Sequence, residues 1–396
     1  MVLVCLSHFV SAYARGNVTS LRSLSALTLL SAPSFMIVSG TLLGFFFATR
    51  RQRFAEVVRS FANRGLFLLT IGRVAICGAN IVWSGGIWES LKYVYITDTV
   101  AVNLILGPFL IQKMRPKTRL GFAFGLMLVS WSVVALWTPS GWFSELIKEV
   151  MVGDYEYSYL RTLHYAFPLL PWFSLFFVST CLGEKLAEYR SGAGMAHWHA
   201  YLTKVGISSL ALALLLKSIY WIGRPGLLKL GITAADAYTF TGLTQKAPPS
   251  LLYFLWYGGM GVLMIAAVFK LQDWPGFAEY SRWASTIGRN SLFVFMLQYF
   301  VYNTFLTALH PKHLALWPLY FAFSLVFLGV VARAWERIGG NRWLTLRLWA
   351  RAPSLAAAEE PQASPSDSAT YPSPMEKFLA LPTPSSVAGV HSDESR

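Results

Sequence analysis

The chain has 396 residues and a formal net charge of +14, from 33 lysines and arginines against 19 aspartates and glutamates. It is 55% hydrophobic and only 13% charged, where soluble domains carry roughly 25% charged residues, and its mean hydropathy is +0.48. This excludes a soluble fold, and because the basic residues sit in short loops between apolar runs, it also removes nucleic acid as the partner the charge would otherwise imply.

Apolar runs of about twenty residues fall at 1–14, 23–48, 65–85, 93–112, 119–138, 166–187, 203–223, 250–271, 289–309 and 313–334. They predict an all-α polytopic integral membrane protein with about ten transmembrane helices, forming one domain over residues 1–345. The first run holds His8. A histidine at that position serves either as a packing group or as a general base that needs no charge while buried. The loop after the second run carries Arg50, Arg51, Arg53, Arg59 and Arg64 against Glu56, and the loop after the fourth carries Lys113, Arg115, Lys117 and Arg119 unopposed, so each nets +4. Residues 139–165 net −2, and the stretch after the tenth run returns to +4. Placing the basic loops in the cytoplasm puts both termini there, as in a bacterial inner membrane, and leaves the mildly basic residues 224–249 as the exception on the outside.

Among the ionisable and amide groups within the runs, His8, Arg73, Asp98, Asn103, Gln298 and Asn303 stand out. Arg73 and Asp98 fall at depths compatible with contact, either as a structural ion pair or as part of a substrate site. The 139–165 loop gathers Trp142, Asp154, Tyr155, Glu156, Tyr157, Tyr159, Arg161 and His164. Such a set suits sugar binding by stacking and hydroxyl hydrogen bonds, and it equally suits an interfacial aromatic belt. Asp154 and His164 are its substrate-binding candidates. Cys5, Cys77 and Cys181 all lie in apolar runs and imply neither a disulfide framework nor a metal site. From Pro353 the composition turns to Ser, Pro, Ala and Thr, which predicts a disordered cytoplasmic tail over residues 353–396.

Three patches carry a resemblance. Leu-Ser-His-Phe at 6–9 with Ser-Ala-Pro-Ser-Phe-Met-Ile-Val-Ser-Gly at 31–40, Phe-Pro-Leu-Leu-Pro-Trp-Phe at 167–173 with Cys-Leu-Gly-Glu-Lys-Leu at 181–186, and Ile-Gly-Arg-Asn-Ser-Leu-Phe-Val-Phe at 287–295 occur in this order. Together they resemble the heparan-α-glucosaminide N-acetyltransferase-like family, within the broader polytopic membrane sugar acyltransferases. The resemblance implies transfer of an acyl group, typically acetyl, from cytoplasmic acyl-CoA to an amine or hydroxyl of a saccharide or glycoconjugate on the far side. It gives His8 the part of general base or transient acyl carrier, and it adds Trp172 and Gln298 to Arg73, Asp98, Asp154 and His164 as substrate-binding candidates. The basic residues Arg50, Arg51 and Arg53 become candidates for the CoA phosphates, although membrane topology alone also accounts for them. Two departures stand out. Relatives carry an Asp-x-x-Arg-Gly pattern before the first-helix histidine, for which there is no room ahead of His8, so a start upstream of Met1 is expected. Gln298 stands where many relatives have a second histidine, and an amide exchanges no proton near neutral pH. The competing reading of the same intramembrane groups is a transporter or flippase in which Arg73 and Asp98 line a path for a polar or lipid-linked substrate.

Overall fold

The structure, a computed structural model, describes residues 1–13, 22–153, 164–165, 167–190, 194–229, 241–246, 248–306 and 316–345. The expected tail at 353–396 lies outside these residues, as do Asp154 and the rest of 154–163. The helices are α1 (Val2–Tyr13), α2 (Arg22–Thr28), α3 (Ser31–Thr49), α4 (Phe54–Phe67), α5 (Arg73–Ser84), α6 (Ile87–Lys92), α7 (Ile96–Lys113), α8 (Pro116–Leu136), α9 (Trp142–Met151), α10 (Leu169–Glu188), α11 (Met195–Lys229), α12 (Leu251–Leu271), α13 (Phe277–Tyr280), α14 (Arg282–Arg289), α15 (Ser291–Tyr299) and α16 (Trp317–Arg337). Among the described residues the one strand pairing is a two-residue parallel ladder, β1 (Tyr93–Val94) with β2 (His164–Tyr165).

The chain is therefore an all-α membrane protein. A helix stands at each of the ten apolar runs, and among the described residues six helical stretches are long and apolar enough to cross a membrane: Leu24–Thr49, Arg51–Ser84, Pro116–Leu136, His197–Gly226, Leu251–Leu271 and Trp317–Arg337. The other four runs fold as α7 with 18 residues, α10 with 20, and two shorter apolar helices, Val2–Tyr13 and Ser291–Leu306. The two ends of the bundle differ. One end brings together the C-termini of α3, α7 and α10 with the N-terminus of α8, and carries Arg51, Lys113 and Arg115; it is the basic rim. At the opposite rim lie the β1–β2 pairing and the turn in which Lys246 stacks on Phe167.

Sequence reading places Arg59 and Arg64 in a loop, whereas both stand on a helix. α4 continues through a π turn at Leu68–Gly72 into α5, giving one stretch of 34 residues. The reason is tertiary. Gly65 lets α4 lie directly on α7, where an added Cβ would meet the Ala101 carbonyl and the Ile105 side chain. Ile105 is midway along α7, so Arg64 is carried to mid-bundle depth. The stretch ends where Gly85 takes a left-handed φ of 85°, a conformation glycine adopts without steric cost.

The closest helix pair is α3 with α10. Gly40 and Gly44 on α3 face the carbonyls of Phe176 and Thr180, and Gly183 on α10 faces the backbone of Thr41 to Phe45; an added Cβ would collide with backbone at all three positions. Apolar side chains gain little by leaving lipid for protein, so helices in a bilayer associate through such small-residue contacts. Gly44→Leu is expected to cost about 3 kcal/mol or more and to lower the melting temperature of detergent-purified protein by several degrees. Gly125→Leu on α8, where an added side chain meets open space, should leave the melt unchanged.

Candidate functional site

α1 packs against α15 and α16, and this sets His8 against two rings of α15. Its imidazole lies 4.5 Å from the Tyr299 ring and 6.2 Å, edge-on, from Phe295. The histidine is half-buried. Tyr299 also meets Tyr95, at 5.8 Å, just ahead of the N-terminus of α7. Immediately after Tyr299 the helix widens into a π segment, Phe300–Leu306, held to α5 by Asn303 donating to Asn80 and by the Thr304 hydroxyl donating to the Ala79 carbonyl at 2.8 Å. Irregular turns of this kind are frequent where helices present functional side chains.

Tyr95 joins His8 to the ion pair expected from the sequence. The backbone N–H of Tyr95 donates to the Asp98 carboxylate at 2.9 Å, capping α7, and Arg73 donates to the same carboxylate. The Arg73 guanidinium also reaches the Leu91 and Tyr93 carbonyls at 3.1 and 3.3 Å. Arg73 and Asp98 thus meet, and the pair ties α5, the 91–95 turn and the start of α7 together. The side chain of Asp98 is 8% exposed and that of Arg73 27%.

A second aromatic chain comes from the opposite rim. Lys246, between α11 and α12, sits 4.4 Å over the Phe167 ring, and burial pushes its ammonium down to about 8. Phe167 packs on Trp172 at 5.4 Å, and Trp172 meets Phe254 edge-on at 5.1 Å. Trp172 and Phe254 belong to the same buried cluster as Tyr95, Phe295 and Tyr299, so this chain and the rings beside His8 share one core. Trp172 and Gln298 are both fully buried, and neither the indole N–H nor either amide atom has a hydrogen-bond partner among the described residues. Buried polar groups are ordinarily satisfied, so these are free to meet water or a polar ligand. The backbone of His164 pairs with Tyr93 through the β1–β2 ladder, which brings it to this rim; its side chain lies outside the described set, as does Asp154.

A cavity of about 700 Å³ approaches the site from the basic side. One face of α3 lines it from Ser31 to Phe46, sixteen residues or about 22 Å of helix. Phe295, the ring that faces His8, lines it too, as do Gln272, Phe277 and Ser281 from the far end of α12 and the turn beyond it. Its walls are largely apolar, and Arg64 is the one charged side chain among the described residues lining it. Of the three arginines expected to hold phosphates, Arg50 lies over the Phe46 ring at the mouth of this cavity, Arg51 lines a different cavity, and Arg53 pairs with Glu56 at the surface.

Sequence reasoning missed Tyr95, Tyr299, Lys246 and Arg64. Lys246 had left a trace, as a basic residue in the stretch that broke the charge alternation. Arg64 had been absorbed into the topological count. Among the described residues no group of three His, Cys, Asp or Glu side chains could hold a metal ion. No family model, curated protein or solved structure matches the chain.

Removing one partner of a buried pair strands the other charge, so Asp98→Ala should destabilise by about 3 kcal/mol. Adding Arg73→Met to Asp98→Ala is expected to restore at least half of that loss in a double-mutant cycle read by thermal melts in detergent.

Proposed function

We propose that this protein is a membrane-bound acyltransferase that moves an acyl group from cytoplasmic acyl-CoA to an amine or hydroxyl of a saccharide or glycoconjugate on the other side, as its resemblance to heparan-α-glucosaminide N-acetyltransferase-like enzymes implies. The observation that carries this reading is the position of His8. It stands against Phe295, a wall of the cavity that reaches up from the basic rim, and against Tyr299, which shares a buried cluster with Trp172 of the chain from the opposite rim. In this reading all ten runs cross a bacterial inner membrane, the basic rim and both termini are cytoplasmic, and the opposite rim meets the acceptor.

The donor enters along the α3 face with its thioester toward His8 and its phosphates toward Arg50, while Arg64 offers a positive charge within the otherwise apolar passage. An imidazole nitrogen of His8 takes the proton from the acceptor hydroxyl or ammonium-derived amine as that atom attacks the thioester carbonyl. The new C–O or C–N bond forms, the C–S bond breaks, and the proton passes from the imidazolium to the departing thiolate. Trp172 and Gln298, with unpaired polar atoms, and the Tyr95 and Tyr299 rings supply hydrogen bonds and stacking surface for the acceptor. Arg73 and Asp98 keep the mouth of the acceptor site in shape.

His8→Ala is expected to abolish acetyl transfer from acetyl-CoA to glucosamine by the purified, detergent-solubilised protein while leaving expression and melting temperature intact. If the unmutated protein neither binds nor hydrolyses acyl-CoA, the acyltransferase reading fails and transport of a polar or lipid-linked substrate takes its place. Arg64→Gln should raise the apparent KM for acetyl-CoA by about tenfold with a smaller effect on kcat, the pattern of a lost binding contact.

A further inference from the structure

The second cavity, of about 580 Å³, lies apart from His8 at the basic rim, between the C-termini of α3, α7 and α10 and the N-terminus of α8. Arg51, Lys113 and Arg115 line it and are exposed, and among the described residues none of the three forms an ion pair. Both carboxylates in the lining are occupied. Glu184 accepts from Arg119, and Glu188 accepts from Lys185 at 2.5 Å. The floor is built around Arg119, which is fully buried, donates to Glu184 and to the Thr180 hydroxyl at 2.7 Å, and has an Nε with no partner. The first turn of α8, opening at Pro116, adds the positive end of a 21-residue helix. The site is therefore cationic, walled, and supported by a buried guanidinium.

We propose that this cavity binds the phosphate headgroup of an anionic phospholipid whose acyl chains run along α7 and α8. The choice of a lipid over a soluble phosphate rests on what borders the charges. Leu106 and Phe109 are exposed on α7, two turns and one turn before Lys113, and Leu120, Phe124 and Leu128 form an exposed stripe at four-residue spacing on α8. α8 buries only 22% of its apolar window, so the stripe faces lipid. A soluble phosphate would use the cationic floor and leave these stripes idle, whereas a phospholipid uses both. Basic pockets between membrane helices at a charged interface are suited to such headgroups. The assignment takes Arg51 out of the acyl-donor path and does not depend on the acyltransferase reading.

The test is native mass spectrometry of the full chain released from detergent into mixed phosphatidylglycerol and phosphatidylcholine. The unmutated protein should retain phosphatidylglycerol in preference, and Arg51→Gln/Lys113→Gln/Arg115→Gln should lower that preference by about tenfold. Lys204→Gln, an exposed cation elsewhere, should not change it. Sodium pyrophosphate and coenzyme A, added as soluble phosphates, should fail to displace the retained lipid. Equal retention of the two lipids, a preference that survives the triple substitution, or displacement by either soluble phosphate would overturn the proposal. All three substituted residues are exposed, and an unchanged melt would show that the triple variant is folded; if it is not, Lys113→Gln/Arg115→Gln is read in its place.

Discussion

The close approach of α3 and α10 through Gly40, Gly44 and Gly183 is the contact on which the rest of the bundle is arranged. It brings two backbones to a distance that only residues without a Cβ permit, and it uses one face of α3 completely. The opposite face is left to line the cavity that Phe295 also borders, so the same helix is both the packing hub and one wall of the passage. The device recurs where α11 meets α12, with Gly206 and Gly259 against each other's neighbourhood. In a solvent as apolar as the side chains, shape is what distinguishes one helix pairing from another.

The charges inside the bundle divide into two kinds. Arg119 with Glu184 near the basic rim, and Arg73 with Asp98 toward the other, are neutralised in pairs that also hold backbone or hydroxyl groups in place. Such pairs clasp helices together, and the Asp98 carboxylate does this twice over by capping α7. Arg64 and Lys246 are the second kind. The first lines a largely apolar cavity and the second sits over an aromatic ring at the opposite rim. Keeping a cation at mid-bundle depth, as Arg64 is, costs enough that its retention signals work to be done with an anion or a reacting group.

Much of the architecture could be read along the chain. Apolar runs of sufficient length specified a helix at every one of the ten positions, and the residue composition excluded a soluble fold, because hydropathy and helix length are properties of consecutive residues. Gly40 and Gly44 stand four residues apart in the chain, but nothing local names α10 as the helix they meet. His8 and the Arg73–Asp98 contact were legible for a related reason: ionisable residues in apolar runs are few, and few candidates leave few pairings.

The tertiary structure alone decided what surrounds those residues. Arg64 looked like one more topological charge until Gly65 laid α4 on α7 and set it, still exposed, on the wall of the cavity. Lys246 acquires its neighbours from Phe167, 79 positions earlier, and Asn303 pairs with Asn80 across 223 residues. A short-range pattern cannot encode which helix faces which, since that choice depends on the fit of whole surfaces between segments distant in the chain. The sequence by itself determined a bundle of apolar helices with a histidine within the first; packing between distant helices determined that this histidine stands against Phe295 and Tyr299, 287 and 291 positions further along the chain.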